Sequence, residues 1–233
     1  MKQPRGVAAE PHKAPAGGRS NRRPISDATR EAILRAAEEE FAARGFGGAR
    51  SDAIAERAGV NKALPFYHFG SKTRLYEEVL RRALSRFGEI VTHTIESPQP
   101  SERLAYFIRD LSSYLAANPN WLKIITRELI DEGSRSKAIA RRYLKPLVEA
   151  SHGEIARAVE SGYMRPIDPL QTMISIAGEV IFYALIAPFL EGLGMRNPLA
   201  ARNRAKREEA VLNLLRAGLR MPHGDTSEDA NPY

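Results

Sequence analysis

The stretch Arg50–Lys72, R-S-D-A-I-A-E-R-A-G-V-N-K-A-L-P-F-Y-H-F-G-S-K, decides the fold. It predicts two short helices around a glycine-containing turn. Ser51 can N-cap the first, its hydroxyl accepting one of the orphan N–H groups of a helix start. Ile54 and Ala58 share one helical face and point at a core. Gly59 falls where the chain leaves the helix in the left-handed conformation, which glycine adopts without steric cost. Val60 plugs the turn, and Asn61 can cap a second helix from about Lys62 to His68. Such a pair is a helix-turn-helix, whose second helix lies in a DNA major groove.

Three blocks carry a family resemblance: T-R-E-A-I-L-R-A-A-E-E-E-F-A-A-R-G-F (Thr29–Phe46), I-A-E-R-A-G-V (Ile54–Val60) and F-Y-H-F-G-S-K-T-R-L-Y (Phe66–Tyr76). In this order and spacing they resemble the DNA-binding module of the TetR family of bacterial transcriptional regulators. A lone A-G-V turn is weak evidence, since any αα-hairpin can carry one. Three blocks in register are specific.

Composition narrows the alternatives. The chain has 233 residues, enough for one large or two small domains with real cores. It has no cysteine, which excludes disulfides, thiolate metal sites and cysteine nucleophiles, and a reducing cytoplasm is the expected home. The N-terminus is polar and basic, without the apolar segment of a secretory signal. The longest apolar run, Val180 to Leu190, lies between Glu179 and Glu191 and falls short of the ~20 residues a bilayer demands. A soluble protein without a membrane partner is expected.

The net charge of +7 is uneven. Residues 1–24 hold six basic groups against Glu10, a net +5, whereas residues 25–72 hold seven of each sign. The leading segment, rich in Pro, Gly and Ala, is predicted to be disordered. It is either a solubilising tail or an arm laying cations along phosphates beside the site.

Periodicity gives an all-α chain. One helix runs from a cap at Ser26 or Asp27 to about Arg44, with Ile33, Ala37 and Phe41 on one face, and Gly45 ends it. Glu40 stands where the family usually has an apolar residue, which narrows the buried stripe. Ser71 caps a long helix, Lys72 to Ile95, ended by Ser97-Pro98-Gln99-Pro100. Further helices are marked by Leu104 to Leu115 and by Trp121 to Ile130, the latter closed by Gly133. Another spans Arg135 to Glu160, kinked or split at Pro146. Pro169 to Leu190 is the most apolar, and Leu199 to Leu219 is the last. The expected organisation is a disordered basic arm (1–24), a three-helix DNA-binding domain (25–71), a larger helical bundle for ligand binding and dimerisation (72–220) and a frayed tail (221–233).

The resemblance implies which residues meet DNA. Base edges are read from the first turn of the recognition helix, here Lys62, Ala63 and Leu64, with Lys62 donating to guanine and the other two offering apolar contact. Tyr67 and His68 match an aromatic-plus-histidine pair that resembles a phosphate and sugar clamp. Lys72, at a helix start, suits phosphate. Ser51, Asn61 and Arg50 are further contacts. Two departures stand out. Pro65 replaces the usual Leu or Ile and removes a core contact. Asp52 repels phosphate unless it accepts from cytosine or pairs with Arg50 or Lys62. Phe66 and Phe69 are read as core.

The resemblance also implies a small-molecule effector pocket and a homodimer formed through the last two long helices. Phe182, Tyr183, Ile186 and Phe189, with Leu212, Leu215 and Leu219, are the candidate seam, monomer core being the plainer role for each. Glu179, a carboxylate amid apolar neighbours, needs a partner: across the dimer, from a hydroxyl, or in the pocket. Tyr106, Tyr114, Trp121, Ile125, Glu128 and Tyr143 are further pocket candidates, with helical core as the alternative.

Catalysis finds no support. Ser134-Arg135-Ser136-Lys137 matches S-x-x-K without its companion motifs. The five histidines lack the H-x-x-x-H spacing of a helical metal site, so no metal, catalytic group or cofactor is expected. The expectation is a cytoplasmic bacterial protein, on the nucleoid when bound to double-stranded DNA: a repressor released from a pseudo-palindromic operator by ligand. The alternatives are an effector-independent activator or nucleoid-type binder, and a helical ligand-binding protein or enzyme with a vestigial head.

Overall fold

The computed structural model describes residues 27–130, 137–138 and 140–219, all helices and their connections. The basic arm, the S-x-x-K serine, Gly133, the proposed cap Ser26 and the acidic tail lie outside the described residues.

The first helix, α1 (Asp27–Gly48), buries Ile33, Ala37 and Phe41 as its period requires. Gly45 breaks it with φ +67°, a conformation only glycine takes without strain. One further turn swings Phe46 back onto Phe41, centroids 6.3 Å apart. Then come α2 (Ser51–Arg57) and α3 (Leu64–Phe69), with Gly59 at φ +67° between them. Ser71 caps α4 (Lys72–Glu96) as expected, its Oγ accepting from the Arg74 amide at 3.2 Å.

Three local expectations are corrected. Ser51 is the first residue inside α2, not its cap. Arg50 stands in the cap position without a side-chain capping bond, and its N–H goes instead to Glu40 Oε1 at 3.4 Å. The recognition helix starts at Leu64 because the Asn61 side chain takes the Ala63 N–H at 2.9 Å. Lys62 and Ala63 therefore sit in the turn before it. Pro65, in the first turn where a missing N–H costs nothing, is buried, so the position is not lost to the interior.

Beyond α4, a 3₁₀ turn (Pro100–Glu102) leads into α5 (Arg103–Ala117) and α6 (Pro119–Ile130). A π turn (Ala140–Leu144) precedes α7 (Lys145–Glu160), so Pro146 marks a division with the proline in the new first turn. The chain closes with α8 (Pro169–Gly192), capped by Asp168 at 2.9 Å to the Gln171 amide, and α9 (Ala201–Leu219).

Two apolar cores result. The first unites α1, α2 and α3 with Leu75, Tyr76, Val79 and Leu80 of α4, and takes Ile124 from α6. The second joins the far half of α4 to α5, α6, α8 and α9 around Leu111, Leu115 and Trp121. Two helices, α4 and α6, belong to both cores.

The apolar run Val180 to Leu190 is part of a longer apolar helix. Glu179 is neutralised by Arg207 of α9, and the helix continues back to Pro169. By length and composition α8 is long enough to cross a bilayer, the one such helix among the described residues, with mean hydropathy 2.0 over its most apolar window. Much of that apolar surface is uncovered: Phe182 is 60% and Phe189 66% exposed.

Candidate DNA-binding surface and ligand cavity

On the helix-turn-helix, Tyr67 is 68% exposed and projects from α3. Phe66, expected in the core, is 48% exposed, because a six-residue helix has room for one buried aromatic, and Phe69 fills that place. His68 is half-buried, its Nε2 enclosed and without a partner among the described residues, edge-on to Tyr67 at 5.9 Å, so Tyr67 is the outward member of the pair. Lys62 and Ala63 are exposed and Leu64 half-buried.

Electrostatics single out Lys62. Most cations of this region are engaged: Arg50 with Asp52 at 3.4 Å, Arg57 with Glu39 at 3.2 Å, Arg30 with Glu78 at 2.6 Å. The Arg50 pairing answers the Asp52 question in favour of internal neutralisation. Lys72 is engaged too, its ammonium 3.3 Å from the Gly47 carbonyl and 4.9 Å from the Phe46 ring centroid. It braces the α1–α2 junction. Lys62 has no ion-pair partner among the described residues.

Sequence reading missed what holds this module. Glu40 is 1% exposed, and its carboxylate meets Arg44 Nε at 3.2 Å, Arg57 at 3.6 Å and the Arg50 N–H. The departure from an apolar residue does not narrow the core. It ties α2 to α1 with charge-assisted bonds.

The bundle forms a partly open cavity of about 480 Å³ between α4, α5, α6, α7, α8 and the end of α9, walled largely by hydrocarbon such as Phe87, Phe107, Leu147 and Ile176. Trp121, Ile125 and Glu128 line it from one face of α6. The other four pocket candidates do not. Glu179 is turned to Arg207, which removes its need for a ligand. Tyr106 sits on the outer side of α5, its hydroxyl on Glu102 at 2.6 Å. Tyr114 faces a separate polar groove beside Arg82 and Arg86, and burial pushes its hydroxyl up to about 12. Tyr143 packs on the second core beneath Arg142. The α7 wall was not singled out from sequence, because its apolar residues look like ordinary core.

Of the seam candidates, Phe182 and Phe189 face outward, joined by Leu214, which sequence did not select. Ile186 is half-buried. Tyr183 bonds the Pro198 carbonyl at 3.2 Å, and Leu212, Leu215 and Leu219 pack on their own core.

Fold and surface together define a helical transcriptional regulator of the helix-turn-helix class. The family described as bacterial regulatory proteins, tetR family, matches residues 33–79, and the tetracyclin repressor-like C-terminal domain matches residues 100–215. The regulator RutR of Escherichia coli K12 is 31% identical over 71% of this chain and 78% of its own. The activator FasR of Mycolicibacterium smegmatis is 50% identical over 72 residues, 30% of this chain and 32% of its own. The fold is shared with FadR of Bacillus subtilis, solved with stearoyl-CoA, at TM-score 0.64 and 21% identity over 81% of this chain and 98% of that one. This chain belongs to the TetR family of DNA-binding transcriptional regulators.

Proposed function

We propose that this chain is a homodimeric repressor whose two α3 helices read a pseudo-palindromic operator, and that a small molecule with a large apolar part releases it. Residues 25–71 form the reading head, with Lys62, Ala63 and Leu64 toward bases and Arg50, Ser51, Asn61, Tyr67, His68 and the start of α4 toward phosphates. Residues 72–220 hold the effector and the dimer seam, and the protein works in the cytoplasm. The observation that carries the release mechanism is that the cavity wall and the head share a structural member: α4 runs from one core into the other, and α6 contributes to both. A ligand that differs in affinity between two settings of these helices shifts the separation of the heads. The apolar face of α8 and α9 supports a partner subunit. The long-chain ligand of FadR supports an apolar effector here.

Selection of bound duplexes from a random pool tests this reading. Enrichment of an inverted repeat, its half-sites separated by about 34–36 Å or a multiple, is expected. A pool that stays random contradicts it. Because FasR is named an activator, a reporter gene downstream of the selected site settles the sign.

A further inference from the structure

Glu128 is a buried carboxylate in a wall made mostly of hydrocarbon. It is 9% exposed, and its one hydrogen bond among the described residues comes from the Tyr76 hydroxyl, 2.6 Å from Oε1. No cation among the described residues lies within ion-pair distance of it. Its neighbour Arg127 turns to α1 and donates to the Ala43 carbonyl at 3.1 Å. Glu154, the other carboxylate bordering the cavity, is satisfied by Arg103 and Arg157. A buried charge without a counter-charge is costly and is ordinarily paired. Glu128 is the exception in this cavity.

A second observation points to the same place. Trp121 lies two helical turns from Glu128 on the same face of α6, is 5% exposed, and its Nε1 is enclosed without a partner among the described residues. Among the described residues, the cavity therefore holds an indole donor without an acceptor and a carboxylate without a cation, in a lining that is mostly hydrocarbon and carries Arg103, Glu154 and Arg216 as its other charged groups.

We propose that Glu128 is the anchor of a cation subsite, and that the effector is an ammonium-bearing molecule with an apolar body. This rests on the effector cavity proposed above and names its ligand class. The ammonium pairs with Oε2, the oxygen Tyr76 leaves open, while the body fills the space beneath Phe87, Phe107 and Leu147. Pairing draws the carboxylate away from Tyr76, whose ring contacts Phe41 and Phe46 in the head core at 4.7 and 5.1 Å. An anionic head group is disfavoured at this end.

The chain's one tryptophan is Trp121, so intrinsic fluorescence of the full-length protein reads the cavity. Decylamine, decanol and decanoate are titrated below their micelle-forming concentrations at neutral pH. The overall charge of +7 by itself favours the anion, so the opposite order is diagnostic. Decylamine binding at least about tenfold tighter than decanol, with decanoate weakest, is expected. Glu128→Gln then brings decylamine to the level of decanol and leaves decanol unchanged. Decanoate binding as tightly as decylamine overturns the assignment, as does an amine preference that survives Glu128→Gln; the wild-type ranking tests it even if that variant fails to fold. If decylamine binds through Glu128 but DNA affinity is unchanged, the cation subsite stands and ligand release falls. Absence of binding by all three probes overturns both.

Discussion

The Tyr76 hydroxyl donates to Glu128 Oε1 at 2.6 Å, across a sequence separation of 52 residues. Tyr76 belongs to the core of the DNA head and Glu128 to the wall of the ligand cavity. This bond is buried, so neither partner finds water when the other is removed. Tyr76→Phe should destabilise the protein by about 1–3 kcal/mol, the cost of leaving a buried acceptor unsatisfied. In a cycle with Glu128→Gln the two changes should couple by about 0.5–3 kcal/mol. Urea unfolding of the four proteins measures this, and strict additivity would show that the bond contributes nothing.

Glu40 predicts a stability effect confined to the head. Glu40→Ala leaves the Arg50 N–H without its acceptor and opens space beneath α2, so a loss of about 1–3 kcal/mol is expected. Glu40→Leu should cost less, because Arg44 and Arg57 are exposed enough to be solvated and the packing is kept. Equal losses from the two substitutions in thermal unfolding would contradict the packing share given to this side chain, since both lack the acceptor of the Arg50 N–H.

The hydrogen bond from Arg81, joined by that from Arg30, holds the Glu78 carboxyl down to about 2 from its usual 4.5. A lowered folded-state value means that the stabilisation is complete above about pH 4.5 and fades as pH falls toward 2. The pair with Arg30 fastens α1 to α4, so Glu78→Gln should lower stability near neutrality by about 1 kcal/mol or less, as for partly exposed pairs. It should also flatten the acid limb of the stability curve. Curves that stay parallel between pH 2 and 4.5 would refute this.

The outward faces of Phe182 and Phe189 predict the assembly. Phe182→Asp combined with Phe189→Asp should leave the fold intact, since neither side chain is buried within its own chain. The dimer should dissociate to a monomer with much weaker operator binding. Sedimentation velocity at micromolar concentration decides it. An unchanged sedimentation coefficient would move the seam elsewhere.

What could be read in advance was local. The stripe of α1, the Ser71 cap, the left-handed Gly59 and the proline stops each depend on residues within a turn or two, and each stands in the structure. Partnerships across the chain were hidden. Glu179 looked stranded because Arg207 lies 28 residues on, and Glu40 looked out of place because its partners come from two helices. The start of α3 was misjudged where a side chain competed with the helix, Asn61 capturing the Ala63 N–H. Trp121, Ile125 and Glu128 share a face of α6 and reach the cavity together, whereas the tyrosine candidates are scattered over three surroundings.

The central claim is sequence-specific reading by the turn and first residues of α3. The most direct measurement is a fluorescence-anisotropy titration at about 150 mM salt, comparing the selected inverted repeat with a shuffled duplex, for the wild type and Lys62→Ala. Wild-type preference of roughly 10³-fold or more is predicted. In Lys62→Ala it should fall by about 1–3 kcal/mol, with discrimination relaxed at one base pair per half-site. Equal, strongly salt-dependent binding of the wild type to both duplexes would contradict the account.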